Sequence, residues 1–284
     1  MRIRLGLLLA AVLVVLAGCS AGAPPIEDPR EIVTKSLEAM QDAKSFHVQV
    51  DVAGTAPIDM TGSGSGSDLP LDGTKIEMDV DVAGKKADLS FAIPPLLGLT
   101  GDVVILEDTA YIRMPLLGPK WLKQSMSEVA GEAAGATPPA DTEAAMAEIK
   151  KMLDDPKIQM KKLADEKCGS KDCYHLQMTV PTDELQNEVA GALASAAPLP
   201  SGLLPEDMPD LNIDLWVEKD SLRMAKVAVG AAMEGDSSLS ATVTFSKWND
   251  PVTVEAPPAD QIDETGGGFL DGLMPDLAPE TPEP

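Results

Sequence analysis

The chain has 284 residues, 44% of them hydrophobic, and carries a formal net charge of −24. That length and apolar content suffice for one sizeable core, while the acidic excess excludes nucleic acid as a partner and sets the chain against anionic headgroups as well. Only 3% of the residues are aromatic, so the core has to be assembled mainly from aliphatic side chains.

Arg2 and Arg4 precede an apolar run over residues 5–16, which closes on Leu16-Ala17-Gly18-Cys19. A charged front, an apolar stretch too short for a mature span and a small-residue cleavage site read as an export signal over residues 1–18. Leu-Ala-Gly-Cys resembles the lipobox of bacterial lipoproteins, which implies that Cys19 is diacylated and begins the mature chain. Two acyl chains at about 0.8 kcal/mol per buried CH₂ give a lasting anchor. The expected location is therefore extracytoplasmic, on a cell membrane, with the anchor rather than charge holding the domain there.

With Cys19 assigned to lipid, Cys168 and Cys173 remain in Cys-Gly-Ser-Lys-Asp-Cys. An even pair in an oxidising compartment reads as a disulfide. Two zinc thiolates are the competing reading, but no second Cys pair and no His set completes four ligands nearby. No metal and no cofactor is expected.

Residues 19–27 form a tether of small residues and Pro24-Pro25. Asp28-Pro29-Arg30-Glu31 then reads as a helix start, with Asp28 as N-cap, Pro29 at the first helical position and Glu31 reaching back to the cap amide. Val33, Leu37 and Met40 place one apolar stripe on a helix ending near Lys44. Next, Phe46, Val48, Val50 and Val52 alternate with His47, Gln49 and Asp51, as a half-buried strand requires. A Gly/Ser run over residues 62–68 reads as a hairpin tip. Alternation returns with Ile76, Met78, Val80 and Val82 against Glu77, Asp79 and Asp81, and after Gly84-Lys85 with Ala87, Leu89, Phe91 and Ile93. Residues 102–106 and 111–114 read as another hairpin.

From Gln124 to Pro156 the period shifts toward 3.6, with Met146, Ile149 and Leu153 on one face. Strands resume at residues 157–163 and with Tyr174, Leu176, Met178 and Val180. Thr182 caps a third predicted helix carrying Leu185, Val189 and Leu193. Three strands follow, with Leu211, Ile213, Leu215 and Val217, then residues 222–229, then Leu239, Ala241, Val243 and Phe245. Residues 258–284 are acidic and rich in Pro and Gly, a tail that cannot pack alone.

The expected architecture is an α+β fold. About ten one-sided antiparallel strands form a strongly curved half-barrel, and amphipathic helices cover its concave apolar face. Several stretches resemble the LppX/LprAFG lipoproteins of the LolA-like superfamily: the lipobox and capped helix, Lys120-Trp121-Leu122, Cys173-Tyr174-His175-Leu176, Leu215-Trp216-Val217, Phe245-Ser246-Lys247-Trp248 and Pro251-Val252-Thr253-Val254. The likeness covers most of residues 28–257, and its motifs are diffuse. It implies a concave apolar cavity that holds acyl chains, a lipid or glycolipid ligand ferried through the envelope, and an envelope transporter as partner to a monomer. The Gly/Ser run, the Ala-rich helical insert and the acidic tail depart from the family, so no particular cargo is carried over.

Aliphatic side chains under a strongly curved sheet fill space poorly, and Met adapts such a lining to varied ligands. The candidate lining residues are Phe46, Val48, Val50, Val52, Ile76, Met78, Val80, Leu89, Phe91, Leu176, Met178 and Ile213. A well-packed core would give the same alternation. His47 and His175 fall opposite the apolar stripe and are expected to be exposed. Asp79 and Asp81 share a face, as catalytic or Ca²⁺-binding carboxylates do, but also as solvated strand exteriors do. Trp121, Trp216 and Trp248 are candidates for a cavity mouth or for packing. No nucleophile elbow, metalloprotease pair or phosphate loop is present, so no enzyme is expected. The alternative function is a tethered interaction scaffold or envelope-stress sensor that binds a protein through the acidic face at Glu77, Asp79 and Asp81.

Overall fold

The computed structural model describes residues 25–58, 67–116, 118–127, 150–151, 153–181, 211–232 and 238–263. Helix α1 (Pro29–Gln41) starts where Asp28 accepts a hydrogen bond from the Arg30 amide and Pro29 occupies the first turn. Glu31 does not close a capping box; its carboxylate pairs with Lys35 one turn on, at 3.0 Å. Ile32 and Val33 are buried on the apolar stripe, with Leu37 and Met40 packed beside them.

Among the described residues fourteen strands form one sheet. They are β1 (Ser45–Ile58), β2 (Ser67–Pro70), β3 (Thr74–Asp81), β4 (Lys86–Ile93), β5 (Leu99–Leu106), β6 (Thr109–Arg113), β7 (Trp121–Ser125), β8 (Gln159–Lys162), β9 (Glu166–Cys168), β10 (Lys171–Val180), β11 (Leu211–Glu218), β12 (Met224–Ala232), β13 (Ser238–Ser246) and β14 (Ile262–Asp263). The order across the sheet is β14-β7-β6-β5-β4-β3-β1-β13-β12-β11-β10-β8, with β2 on β1 and β9 on β10. β1 and β13, far apart in sequence, thus join two meanders at the centre of a large, open, curved sheet that fits a half-barrel.

The strand count exceeds the expected ten because β2, β7, β9 and β14 run for only four, five, three and two residues. β9 and β14 are too short to display a period of two, while β2 lies partly in the Gly/Ser run and β7 leads into a stretch of helical period, so only long-range pairing defines these strands. The partner of β2 is the C-terminal extension of β1. The expected shift to helix at Gln124 is also corrected, since that residue pairs with Ala110 within β7. The helices expected at residues 182–193 and around Met146 and Ile149 lie outside the described residues. Leu153, from the same insert, is buried against α1 in the main core.

Two findings revise the expectation of a one-sided antiparallel sheet. β14 pairs with β7 in parallel, so the chain stays in the sheet as far as Asp263. The face opposite α1 also carries apolar clusters of its own. In one, Val252 and Val254 of the C-terminal segment pack against Val104, Tyr111 and Trp121. The segment reaches that edge after Asn249 and Asp250 have been tied to Lys44 and Ser45 at the start of β1.

Candidate functional site

The strand registers place all twelve predicted lining residues on the face that bears α1. Phe46, Val48 and Val50 stand opposite Val80, Met78 and Ile76, and the last two stand opposite Leu89 and Phe91 on β4. Val48, Val50 and Val52 face Phe245, Val243 and Ala241 on β13. Across β12 and β11 the row continues to Leu215, and from there to Leu176, with Met178 opposite Ile213.

This face divides into two parts. Leu176, Met178 and Ile213 belong to the core cluster that α1 closes with Ile32 and Val33. Among the described residues none of the nine candidates on β1, β3 and β4 joins a core cluster. Val48 is buried, while Phe46, Val50, Val52, Ile76, Met78, Val80, Leu89 and Phe91 are only half-buried. Gly101 makes room for one of them: it stands opposite Phe91, and a Cβ there would run into the Phe91 ring.

On the outer face the two histidines are not exposed as expected. The His47 side chain is 18% exposed, with Nδ1 2.9 Å from the Asp79 carboxylate. That of His175 is 12% exposed, with Nδ1 3.1 Å from Glu166 and Nε2 2.9 Å from Asp214. His175 also stacks on Trp216, which lies between it and Lys226 in the strand register. Lys226 Nζ sits 3.5 Å from the centre of the indole ring, and Trp216 Nε1 donates to Glu166 at 2.8 Å. That hydrogen bond, ahead of the neighbouring His175 and Lys226, holds the Glu166 carboxyl below the ordinary glutamate range. Asp79 and Asp81 have separate structural bonds, the first with His47 and the second accepting from the Gly84 amide at 2.9 Å.

Cys168 and Cys173 are joined in a disulfide with Cα atoms 5.9 Å apart, which closes the zinc reading for this pair. Cys19 lies outside the described residues. Among the described residues no group of three His, Cys, Asp or Glu could hold a metal ion, and no helix is long and apolar enough to cross a membrane.

Beside the disulfide, a groove of about 580 Å³ opens between the β9–β10 turn, the β11–β12 connection and the end of β13. Lys167, Lys171, Arg223, Lys226 and Lys247 line it, against the acids Glu218 and Asp250. None of the twelve predicted lining residues does. Trp248 links the two regions: it lines the groove, and its ring centre is 5.3 Å from that of Phe46 on the apolar face. Periodicity does not reveal this groove, because its cations sit near strand ends on three separate stretches of chain.

Among the described residues the fold and site together define a class: an open, mostly antiparallel sheet with a helix laid on part of an apolar face. In structure the chain is similar to the lipoprotein LppX of Mycobacterium tuberculosis, with a TM-score of 0.48, 18% identity, and coverage of 80% of this chain and 97% of that one. It is likewise similar to LprF from Mycobacterium bovis, with a TM-score of 0.48, 14% identity, and coverage of 82% and 99%. MucB in complex with MucA(peri) matches at a TM-score of 0.31 and 11% identity, covering 82% of this chain and 58% of that one. No family model and no curated protein matches the sequence.

Proposed function

We propose that the chain is a membrane-anchored extracytoplasmic lipoprotein that binds the acyl chains of a lipid or lipoglycan against its apolar face and carries them in the cell envelope, by binding rather than catalysis. The observation that carries this reading is the block of eight half-buried apolar side chains on β1, β3 and β4. Apolar surface left in water costs about 25 cal/mol per Å², so a contiguous wall of this kind favours an apolar occupant. Valine, isoleucine and leucine supply its bulk, and Met78 lets it adapt to chains of different shape. The Leu-Ala-Gly-Cys19 segment supports placement beside a bilayer, from which such a ligand would be drawn.

Organic extraction and native mass spectrometry of protein purified from envelopes test the proposal. Bound lipid is expected in the wild type, with much less in Ile76→Lys or Met78→Lys chains that remain folded. Folded wild-type protein free of lipid would refute it. Replacing Cys19 by Ser is expected to release the exported chain from membranes; retention after a salt wash would contradict the anchor.

A second reading, a scaffold for a cationic protein partner, is favoured by one observation. Asp88 stands directly across from Asp79 on the outer face, next to the strand that carries Glu77 and Asp81. Loss of such a partner on charge reversal at Glu77, Asp79 and Asp81, with no lipid bound, would select this reading.

A further inference from the structure

We infer that the groove beside the Cys168–Cys173 disulfide is a docking site for the phosphodiester headgroups of an anionic bilayer, presented at the tethered end of the molecule. In a chain of net charge −24, five cations and two acids line this one groove. Lys171 is held by Glu218 at 2.7 Å, and Lys167 by Asp172 at 2.8 Å. Arg223, Lys226 and Lys247 make no ion pair among the described residues. Arg223 faces the ring of Trp248 and Lys226 that of Trp216. A ring face orients a cation without using up its N–H donors, so these charges remain available to phosphate oxygens. Trp248 adds an indole at the groove wall, a side chain suited to the headgroup level.

Position favours the same occupant. The Ile26 amide donates to the Tyr174 hydroxyl at 3.1 Å, and the Ile26 carbonyl accepts from Lys162. Tyr174 directly follows Cys173, whose disulfide partner Cys168 lines the groove. Ile26 is thus held at the same end of the strands as the groove, on the face that bears α1. The seven Cα–Cα steps from Cys19 to Ile26 reach at most about 25 Å, so a chain anchored at Cys19 keeps this end close to the bilayer. Glu166 offsets part of the Lys226 charge and Asp172 that of Lys167, while carboxylates farther off act only weakly because the screening length at physiological salt is about 8 Å. Position thus depends on acylation of Cys19, whereas the groove's affinity for anionic headgroups does not, and the two fail separately.

The test is sedimentation of the exported Cys19→Ser chain with vesicles of phosphatidylglycerol and phosphatidylcholine in equal parts, and with vesicles of phosphatidylcholine alone. Binding is expected to the mixed vesicles only and to fall steeply with salt. Arg223→Gln/Lys247→Glu should weaken it about tenfold or more, since each lysine or arginine near an anionic surface is worth about a fivefold change. Lys120→Glu, at the opposite end of the strands, should leave it unchanged. Thermal melting establishes that the variants are folded, and Lys247→Glu alone serves as a milder second variant. Equal binding to both vesicle types, or undiminished binding by folded groove variants, would overturn the inference. Displacement by millimolar inorganic phosphate would also overturn it, by identifying a small-anion site instead.

Discussion

His175 lies flat against Trp216, with ring centroids 4.4 Å apart and planes 12° from parallel. The stack bridges β10 and β11 on the face opposite α1, where Trp216, Cys173 and Ala225 form a small core of their own. Trp216 is 8% exposed, so Trp216→Ala should cost about 3 kcal/mol of unfolding free energy in a denaturant titration. Trp216→Phe keeps a ring but removes the donor to Glu166, and should cost about 1 kcal/mol. Equal losses would mean that the hydrogen bond, not the ring, holds the cluster.

Glu166 gives this cluster a pH signature. Its carboxyl is held below the ordinary range, first by the Trp216 hydrogen bond. A depressed acid contributes stability that is present above its unfolded value of about 4.3 and is lost as pH falls through the folded value. Glu166→Gln should therefore melt below wild type at neutral pH, and the two melting curves should converge once acid has protonated the wild-type carboxyl. A gap independent of pH would indicate that charge at this position is irrelevant.

Asp88 should behave in the opposite sense. It stands directly across from Asp79, and like charges in register destabilise a strand pair by about 0.5 kcal/mol. Asp88→Asn is expected to raise Tm at neutral pH. Because the wild-type carboxyl is pushed upward, the folded wild type takes up its proton first on acidification and regains stability relative to the unfolded chain. The advantage of Asn should accordingly vanish as pH falls into the carboxylate range, and a Tm series across pH measures this.

Gly101 is a packing residue for the apolar wall. A Cβ there would meet the Phe91 ring and stand 3.1 Å from the Arg113 carbonyl oxygen. Gly101→Val should cost about 1–3 kcal/mol, the usual range for overpacking. Part of that loss should return in Gly101→Val/Phe91→Leu, where the ring tip has been removed; a strictly additive double mutant would separate the two sites.

The Cys168–Cys173 bond closes a short loop, with the cysteines five positions apart. Loop-closure entropy for so short a ring amounts to about 2 kcal/mol. Unfolding free energies from denaturant titrations with and without reductant should differ by no more than that amount, and global unfolding on reduction would show that the bond constrains more than its own turn.

Much of the architecture was legible in sequence because side-chain direction within a strand is a local property. Alternation at Phe46, Val48 and Val50, at Ile76 and Met78, and at Leu176 and Met178 assigned each residue to a face before any partner was known, and Asp28-Pro29 marked the helix start through backbone chemistry of adjacent residues. The expected capping box does not form because Glu31 has a competing partner in Lys35, one turn further on.

What the sequence by itself determined, then, is where the longer strands run and which face of each is apolar. Only the tertiary structure decided that β1 lies against β13, that β14 joins β7, and that His175 is enclosed by Glu166, Trp216 and Asp214. It alone gathered Lys167, Arg223, Lys226 and Lys247 around one groove. The physical reason is range: periodicity reports how a residue sits relative to its neighbours in the chain, whereas strand order and clustered charge depend on which distant segments meet, and no local pattern encodes that.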